Sequence, residues 1–342
     1  MKICYFGIYD PNYSRNRILN GGLRENGVEV IECRTELKGV KKYFDLVKKH
    51  WRIRKDYDAM VVGFPGYQAM ILARFLTRKK IIFDAFTSLY DSLVLDRKTV
   101  NKNSLSAYYY WLLDWLSCGL ADKILLDTNE QIDYFVDTFK IKKEKFIRIF
   151  VGSDIRLDDI NKKKEERDYF LVNFYGTDIP LQGVEYIIEA AELLKNENIR
   201  FSIIGTKIKK RYESGGYANI DFFDNMEFKE LIRYVASADI NLGIFGGTEK
   251  ARRVIPNKVY DALAVGSAII TGDTPAAREI LSDGVNAVFC RMADAGDLAE
   301  KILLLKSDNN LRNKISRDSR DLFQNYLRPK LLACQLLNLI NI

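Results

Sequence analysis

Asp239-Ile240-Asn241-Leu242-Gly243-Ile244-Phe245 is followed by Gly246-Gly247-Thr248-Glu249-Lys250-Ala251-Arg252-Arg253-Val254-Ile255-Pro256-Asn257-Lys258, then by VYDALAVG and AIIT to Thr271. An apolar strand enters a glycine-opened, cation-rich loop. An amphipathic helix over Pro256–Ala264 and a second apolar strand follow. Glycines after a strand let a ligand approach the backbone. Lys250, Arg252, Arg253 and Lys258 stand before or at a helix N-terminus, whose free amides and dipole also favour an anion. Such crowding is unfavourable for the helix alone and makes sense if a phosphate or diphosphate completes the site. Pro256 fits the first helical turn, where its missing N–H costs nothing. Asp261, one turn further on, is suited to accept hydrogen bonds from sugar hydroxyls.

Outward from this unit the same alternation fills the chain. Apolar strands over Lys2–Tyr9, Val28–Cys33, Tyr57–Gly63, Lys80–Phe86 and Lys123–Asp127 alternate with helices over Ser14–Arg24, Val40–Lys55 and Tyr67–Phe75. Short Val/Ile/Leu-rich strands separated by helices imply parallel strands joined by crossovers. The polar run DIRLDDINKKKEERD, Asp154 to Asp168, can bury little surface and reads as a linker. Strands then resume at Tyr169–Tyr175, Arg200–Ile204, Ile220–Phe223, Asp239–Phe245, Ala268–Thr271 and Ala287–Phe289. The expectation is an α/β protein of two Rossmann-like, doubly wound domains, residues 1–155 and 168–321, with a linker at 156–167. Ligands belong at the carboxyl ends of the strands, in the cleft between domains.

Composition narrows the chemistry. A single histidine, His50, among 342 residues excludes a multi-histidine metal centre and leaves a Ser-His-Asp hydrolase with one imaginable base. His50 reads as a surface or packing residue. No GxGxxG or GxxxxGK[ST] string occurs, so the nicotinamide-dehydrogenase and P-loop readings lose their support. Five scattered cysteines without a CxxC pair favour reduced thiols. No leader-like start and no apolar run of ~18 residues is seen, and the chain reads as cytoplasmic. With one histidine and no carboxylate cluster, no metal is expected. Asp56-Tyr57-Asp58 fits a metal-dependent Asp-x-Asp string but precedes a strand, the wrong end for a ligand.

The net charge of +7 is too small for a nucleic-acid coat, and no nucleic-acid partner is expected. It is unevenly placed: residues 1–150 hold 26 basic and 18 acidic side chains, the rest 27 and 28. The segment Lys48-Lys49-His50-Trp51-Arg52-Ile53-Arg54-Lys55 is the densest. It reads first as a solvated helix face with Trp51 in the core. A peripheral contact with anionic lipid is the alternative. Tyr108, Tyr109, Tyr110, Trp111 and Trp115 likewise read first as core packing, with an aromatic surface for a lipid-linked acceptor as the alternative.

Two loops of the first half are acceptor-side candidates. The turn Gly7–Arg15 offers Asp10 and Arg15. Asp84 ends an apolar strand with no helix starting directly after it, which favours a ligand over a capping duty.

Pro256-Asn257-Lys258-Val259-Tyr260-Asp261-Ala262-Leu263-Ala264-Val265-Gly266, followed by a strand and Gly272-Asp273-Thr274-Pro275-Ala276-Ala277-Arg278-Glu279, resembles the donor-site segment of glycosyltransferase family 4. Phe174-Tyr175-Gly176-Thr177-Asp178-Ile179-Pro180-Leu181-Gln182-Gly183-Val184 is similar to the first turn of that family's C-terminal domain. The resemblance implies the GT-B fold, two Rossmann-like domains facing across a cleft, with a last helix of about 322–342 returning to the first domain. It implies a metal-independent, retaining hexosyltransferase for which a nucleoside diphosphate sugar is substrate, with no further cofactor. The sugar would pass to a sugar or lipid-linked acceptor in cell-surface polysaccharide or glycoconjugate synthesis.

By position, the resemblance assigns Asp261 to the donor ribose and Gly176 and Thr177 to the turn beneath the phosphates. The stretch with Thr248, Glu249, Lys250, Asn257 and Lys258 would meet sugar and diphosphate. Charge on the leaving diphosphate would fall to Lys258 with Arg252 or Arg253. The family's acidic pair is incomplete, because Arg253 stands eight residues before Asp261. Thr177 and Gln182 replace the usual Arg and Lys. An inactive GT-B subunit that binds nucleotide or scaffolds a partner, and a nucleotide-sugar epimerase, are the alternative readings.

Overall fold

A computed structural model describes residues 1–156 and 167–340. The expected linker at 156–167 therefore lies almost wholly outside the described residues. The chain divides into two compact units, Met1–Gly152 with the segment from Leu327, and Ser153–Tyr326.

In the first unit the strands are β1 (Lys2–Gly7), β2 (Glu29–Arg34), β3 (Ala59–Val62), β4 (Ile81–Phe86), β5 (Lys123–Leu126) and β6 (Phe146–Arg148). They form one parallel sheet in the order β2-β1-β3-β4-β5-β6. The crossovers carry α1 (Ser14–Glu25), α2 (Lys41–Ile53), α3 (Tyr67–Leu76), α4 (Leu105–Leu120) and α5 (Asn129–Phe139). Strand alternation sorts side chains to the two faces. Cys4, Phe6, Met60, Val62, Phe83 and Ala85 pack with residues of α3, α4 and α5 in one apolar cluster.

The second unit has β7 (Phe170–Tyr175), β8 (Ile199–Ile204), β9 (Ile220–Phe223), β10 (Ile240–Leu242), β11 (Ala268–Gly272) and β12 (Val288–Cys290), parallel in the order β12-β11-β10-β7-β8-β9. Its helices are α6 (Val184–Leu193), α7 (Thr206–Tyr212), α8 (Phe228–Ser237), α9 (Glu249–Arg253), α10 (Asn257–Val265), α11 (Pro275–Arg278), α12 (Ala295–Ser307) and α13 (Asn309–Leu322). Both sheets are the doubly wound α/β layers that the strand–helix alternation predicts.

The final helix, α14 (Pro329–Ile340), packs against α1 in the first unit. The approach is close because Gly22 has no side chain. A Cβ there would lie 2.1 Å from the Pro329 carbonyl oxygen and 2.9 Å from the Ala333 methyl.

Several sequence expectations change. α9 lies inside the stretch read as loop, and Pro256 caps α10 from outside rather than occupying its first turn. Trp51 is 64% exposed, so it is not in the core. Tyr108, Tyr109 and Trp115 are exposed on α4, while its buried face is built from Ala107, Leu113, Asp114, Ser117 and Cys118. His50 is buried with a ring nitrogen 2.8 Å from the Tyr57 hydroxyl, a packing role. Asp58 accepts the Lys2 backbone N–H at the start of the sheet, which accounts for the Asp-x-Asp string.

Candidate nucleotide-sugar site

The second unit gathers its candidate residues at the carboxyl end of β7. Tyr175 and Gly176 leave the strand, a short 3-10 turn covers Pro180–Gln182, and α6 follows. The turn is tied to the loop after β10 through two backbone bonds, Phe245 N–H to Gln182 O at 3.1 Å and Gly246 N–H to Leu181 O at 3.3 Å. Leu181, Ile244 and Ala251 pack together beside Ile179 and Val254. The same apolar contact therefore anchors α9, whose N-terminus is capped by Thr248 Oγ1 accepting from the Ala251 N–H at 3.1 Å.

Lys258, in the first turn of α10, is 5% exposed. Its Nζ donates to Gln182 Oε1 at 2.5 Å and lies 3.5 Å from the centroid of the Phe174 ring. Among the described residues no carboxylate pairs with it. Burial holds its ammonium well below the usual lysine range. A buried cation answered by one amide oxygen and by the rings of Phe174 and Tyr175 is left with charge to spend. Gly176 sits directly against it, since a Cβ there would be 3.0 Å from Lys258 Nζ and 3.1 Å from Gln182 Oε1. The absence of that side chain keeps the cradle open.

One helical turn along, Asp261 accepts from the Ser153 hydroxyl at 2.6 Å and the Tyr175 hydroxyl at 2.5 Å. Burial and the neighbouring carboxylate push the Tyr175 phenol well above its ordinary value. The carboxylate thus already receives hydroxyl donors, the class of group a ribose presents.

Of the remaining candidates, Lys250 is buried, Arg253 and Asn257 are half-buried, and Thr177, Glu249 and Arg252 are exposed. Gly176, Lys258 and Asp261 are brought together on β7 and α10, with the other cations on α9. Sequence reasoning missed Phe174, Tyr175 and Ser153. Gln182 appeared only as a departure from a family pattern. Its position three residues beyond Ile179 in a Pro-opened turn was the available signal.

The acceptor-side candidates separate. Asp10 is exposed and lines a cavity of about 630 Å³ in the first unit, together with Tyr9, Arg34, Glu36, Lys38 and Lys42. Arg15 and Asp84 are both 0% exposed and pair with each other. Arg15 Nε and Nη2 donate to the Asp84 carboxylate at 3.0–3.1 Å, and Nη1 donates to the Ile149 and Phe150 carbonyls at 2.7 and 3.0 Å. The ligand-facing expectation for these two is corrected here. Asp84 alternates away from Phe83 and Ala85, onto the α1 side of the sheet, where Arg15 meets it.

Among the described residues, no group of three or more His, Cys, Asp or Glu side chains is placed to hold a metal ion. No helix among them is long and apolar enough to cross a membrane.

Residues 156–322 match the family "Glycosyl transferases group 1". An uncharacterized glycosyltransferase of Methanocaldococcus jannaschii is 25% identical over 237 residues, 64% of this chain and 58% of that one. The N,N'-diacetylbacillosaminyl-diphospho-undecaprenol alpha-1,3-N-acetylgalactosaminyltransferase of Campylobacter jejuni is 28% identical over 40% of this chain and 36% of its own. The chain thus spans less than two thirds of the length of these relatives. Among solved structures, Anabaena HepE in complex with UDP-glucose superposes with a TM-score of 0.72 at 14% identity, covering 100% of this chain and 99% of that one. Sucrose-phosphate synthase of Thermosynechococcus elongatus gives 0.78 at 12% identity, covering 99% and 98%. At these identities the likeness establishes the fold, which is GT-B.

Proposed function

We propose that the chain is a glycosyltransferase that moves a sugar from a nucleoside diphosphate sugar to an acceptor hydroxyl, with retention of configuration and without a metal. The observation that carries this reading is Lys258, a buried ammonium with no carboxylate partner among the described residues, at the start of α10. A diphosphate supplies the missing negative charge and favours the ammonium form. The match over residues 156–322 supports the reading.

In the reaction, the bond from the sugar's anomeric carbon to the diphosphate oxygen breaks and a bond to the acceptor oxygen forms. The acceptor proton passes to the leaving phosphate, so no protein base is required. Lys258, with Arg252 or Arg253, neutralises charge growing on the diphosphate. Asp261 takes the ribose hydroxyls, exchanging its contacts to Ser153 and Tyr175 for them. The turn at Gly176 and Thr177 lies under the phosphates, and Thr248, Glu249, Lys250 and Asn257 meet the donor. The sugar moved is a hexose, and the first unit receives the acceptor, a sugar or lipid-linked hydroxyl of a surface polysaccharide or glycoconjugate, on the cytoplasmic side. Asp10 and the cavity beside it are its docking point.

Thermal melting with UDP, GDP, ADP and their sugars tests the reading. A fitting donor at 100 times its dissociation constant stabilises the fold by ~2.7 kcal/mol. The shift is expected to vanish in Lys258→Met. A melting curve that no nucleotide moves overturns the proposal. A shift with no sugar released or transferred would leave a nucleotide-binding subunit.

A further inference from the structure

On one face of the first sheet, α3 packs against both α2 and α4, so the three helices form a continuous layer. Several large apolar side chains are exposed on it. Val40, Phe44 and Trp51 follow the i, i+4, i+11 spacing of a single helical stripe and are 68%, 71% and 64% exposed. Leu46 and His50 take the buried side of the same helix. Phe75, at the end of α3, is 83% exposed, and Tyr108 and Trp115 on α4 are 63% and 41% exposed. Over its 16 residues α4 has one charged side chain, Asp114, and that one is buried. Its solvent face therefore carries no charge.

Six large apolar and aromatic side chains exposed on three adjacent helices point to a contact with something else. The charge beside it identifies what. Residues 38–55 hold eight Lys and Arg and a single acid, Asp45, which is paired with Lys49 at 2.7 Å. Lys41, Lys48 and Arg52 are exposed and run along the flank of the Val40–Phe44–Trp51 stripe. Apolar and aromatic side chains in the middle, with cations beside them, match a bilayer with anionic headgroups. Trp and Tyr favour the depth between headgroup and acyl chain, and each nearby cation gains from anionic lipid.

We propose that the α2–α3–α4 face docks on the surface of an anionic lipid bilayer. Phe44 and Trp51 enter the headgroup–acyl boundary, and Lys48 and Arg52 meet the anionic headgroups. Lys38 and Lys42, at the start of this basic segment, also line the 630 Å³ cavity. A lipid-borne acceptor would thus arrive beside the cavity proposed to receive it. That last link rests on the transferase reading, whereas the docking does not, so docking is measured with no nucleotide sugar present and the two can fail separately.

The experiment is flotation of the full chain with vesicles of phosphatidylcholine alone or mixed with phosphatidylglycerol, at low and high salt. Binding is expected only with phosphatidylglycerol and is expected to fall as salt rises. Lys48→Glu with Arg52→Glu should weaken partitioning at least about thirtyfold. Phe44→Ser with Trp51→Ser should weaken it about tenfold or more. All four positions are exposed, so these variants should melt like the parent, and melting is recorded alongside. In the parent, Trp51 emission should shift to the blue on vesicles. No enrichment on anionic vesicles overturns the proposal, as does binding that survives both double variants. A parent that is dimeric by light scattering, becomes monomeric in Phe44→Ser with Trp51→Ser and ignores vesicles would assign the face to a second copy and equally overturn it.

Discussion

Each unit buries a cation near the carboxyl end of its first strand, and the two are treated differently. In the first unit Arg15 is wholly enclosed and fully answered, by both oxygens of Asp84 and by two backbone carbonyls. In the second, Lys258 is nearly as enclosed but, among the described residues, meets the Gln182 amide oxygen and the rings of Phe174 and Tyr175, with no carboxylate. A buried charge balanced by its own chain is architecture. One whose balance is missing is what the proposed diphosphate site rests on.

The contrast breaks most visibly at Asp84. Asp84→Ala strands Arg15 in the interior and should cost about 3–5 kcal/mol in urea unfolding, whereas replacing both partners with apolar residues should cost less. Lys258→Met is expected to do the reverse. The unliganded chain keeps or gains stability, while nucleotide affinity measured by calorimetry drops by about 2–5 kcal/mol. Proton linkage gives the same contrast a second reading. The folded value of Lys258 lies below the ordinary ~10.4, so between the two the folded chain binds fewer protons than the unfolded one. Unliganded stability should therefore rise with pH through that window, and the rise should disappear in Lys258→Met or with diphosphate bound. If Asp84→Ala is mild, or Lys258→Met unfolds the second unit, the distinction fails.

Asp114 sharpens the comparison as an intermediate case. It is a buried carboxyl held by the Ser88 hydroxyl and the Leu89 and Tyr90 amides, with no cation, and burial pushes it up to about 7. The folded chain then holds more protons than the unfolded one between ~3.9 and that value. The stability this group contributes is full below ~3.9 and is lost as pH rises through about 7. Asp114→Asn should flatten that slope in melts taken from pH 4 to 8. The smallest effect belongs to Gly176→Ala. Its methyl crowds Lys258 and Gln182 by a few tenths of an ångström, and about 1 kcal/mol of overpacking should appear as weaker nucleotide binding with little change in melting.

The two sheets were legible because buried parallel strands are short apolar runs and their crossovers are amphipathic. Lys258 was legible for a local reason, a cation at a helix start behind glycines. What escaped was set at long range. Arg15 and Asp84 lie 69 positions apart, and no local pattern tells a ligand-facing carboxylate from one that meets a guanidinium across the sheet. Ser153 reaches Asp261 over 108 positions. α9 is five residues long, too short for a period to register. Trp51 was misplaced because a basic helix with one apolar face predicts a buried stripe. α2 carries two, and only Leu46 and His50 go inward.

The helix α14 has a consequence for the order of assembly. Residues 153–326 form one unit without interruption, while the first unit is discontinuous and needs Pro329–Ile340 laid into the notch at Gly22. On a ribosome, the half that emerges earlier is the half that finishes later. Its helix α1 must wait for α14 through the synthesis of the whole second unit. Damage to α14 should therefore appear not as a local fraying but as a first unit that never closes, beside a second unit already folded.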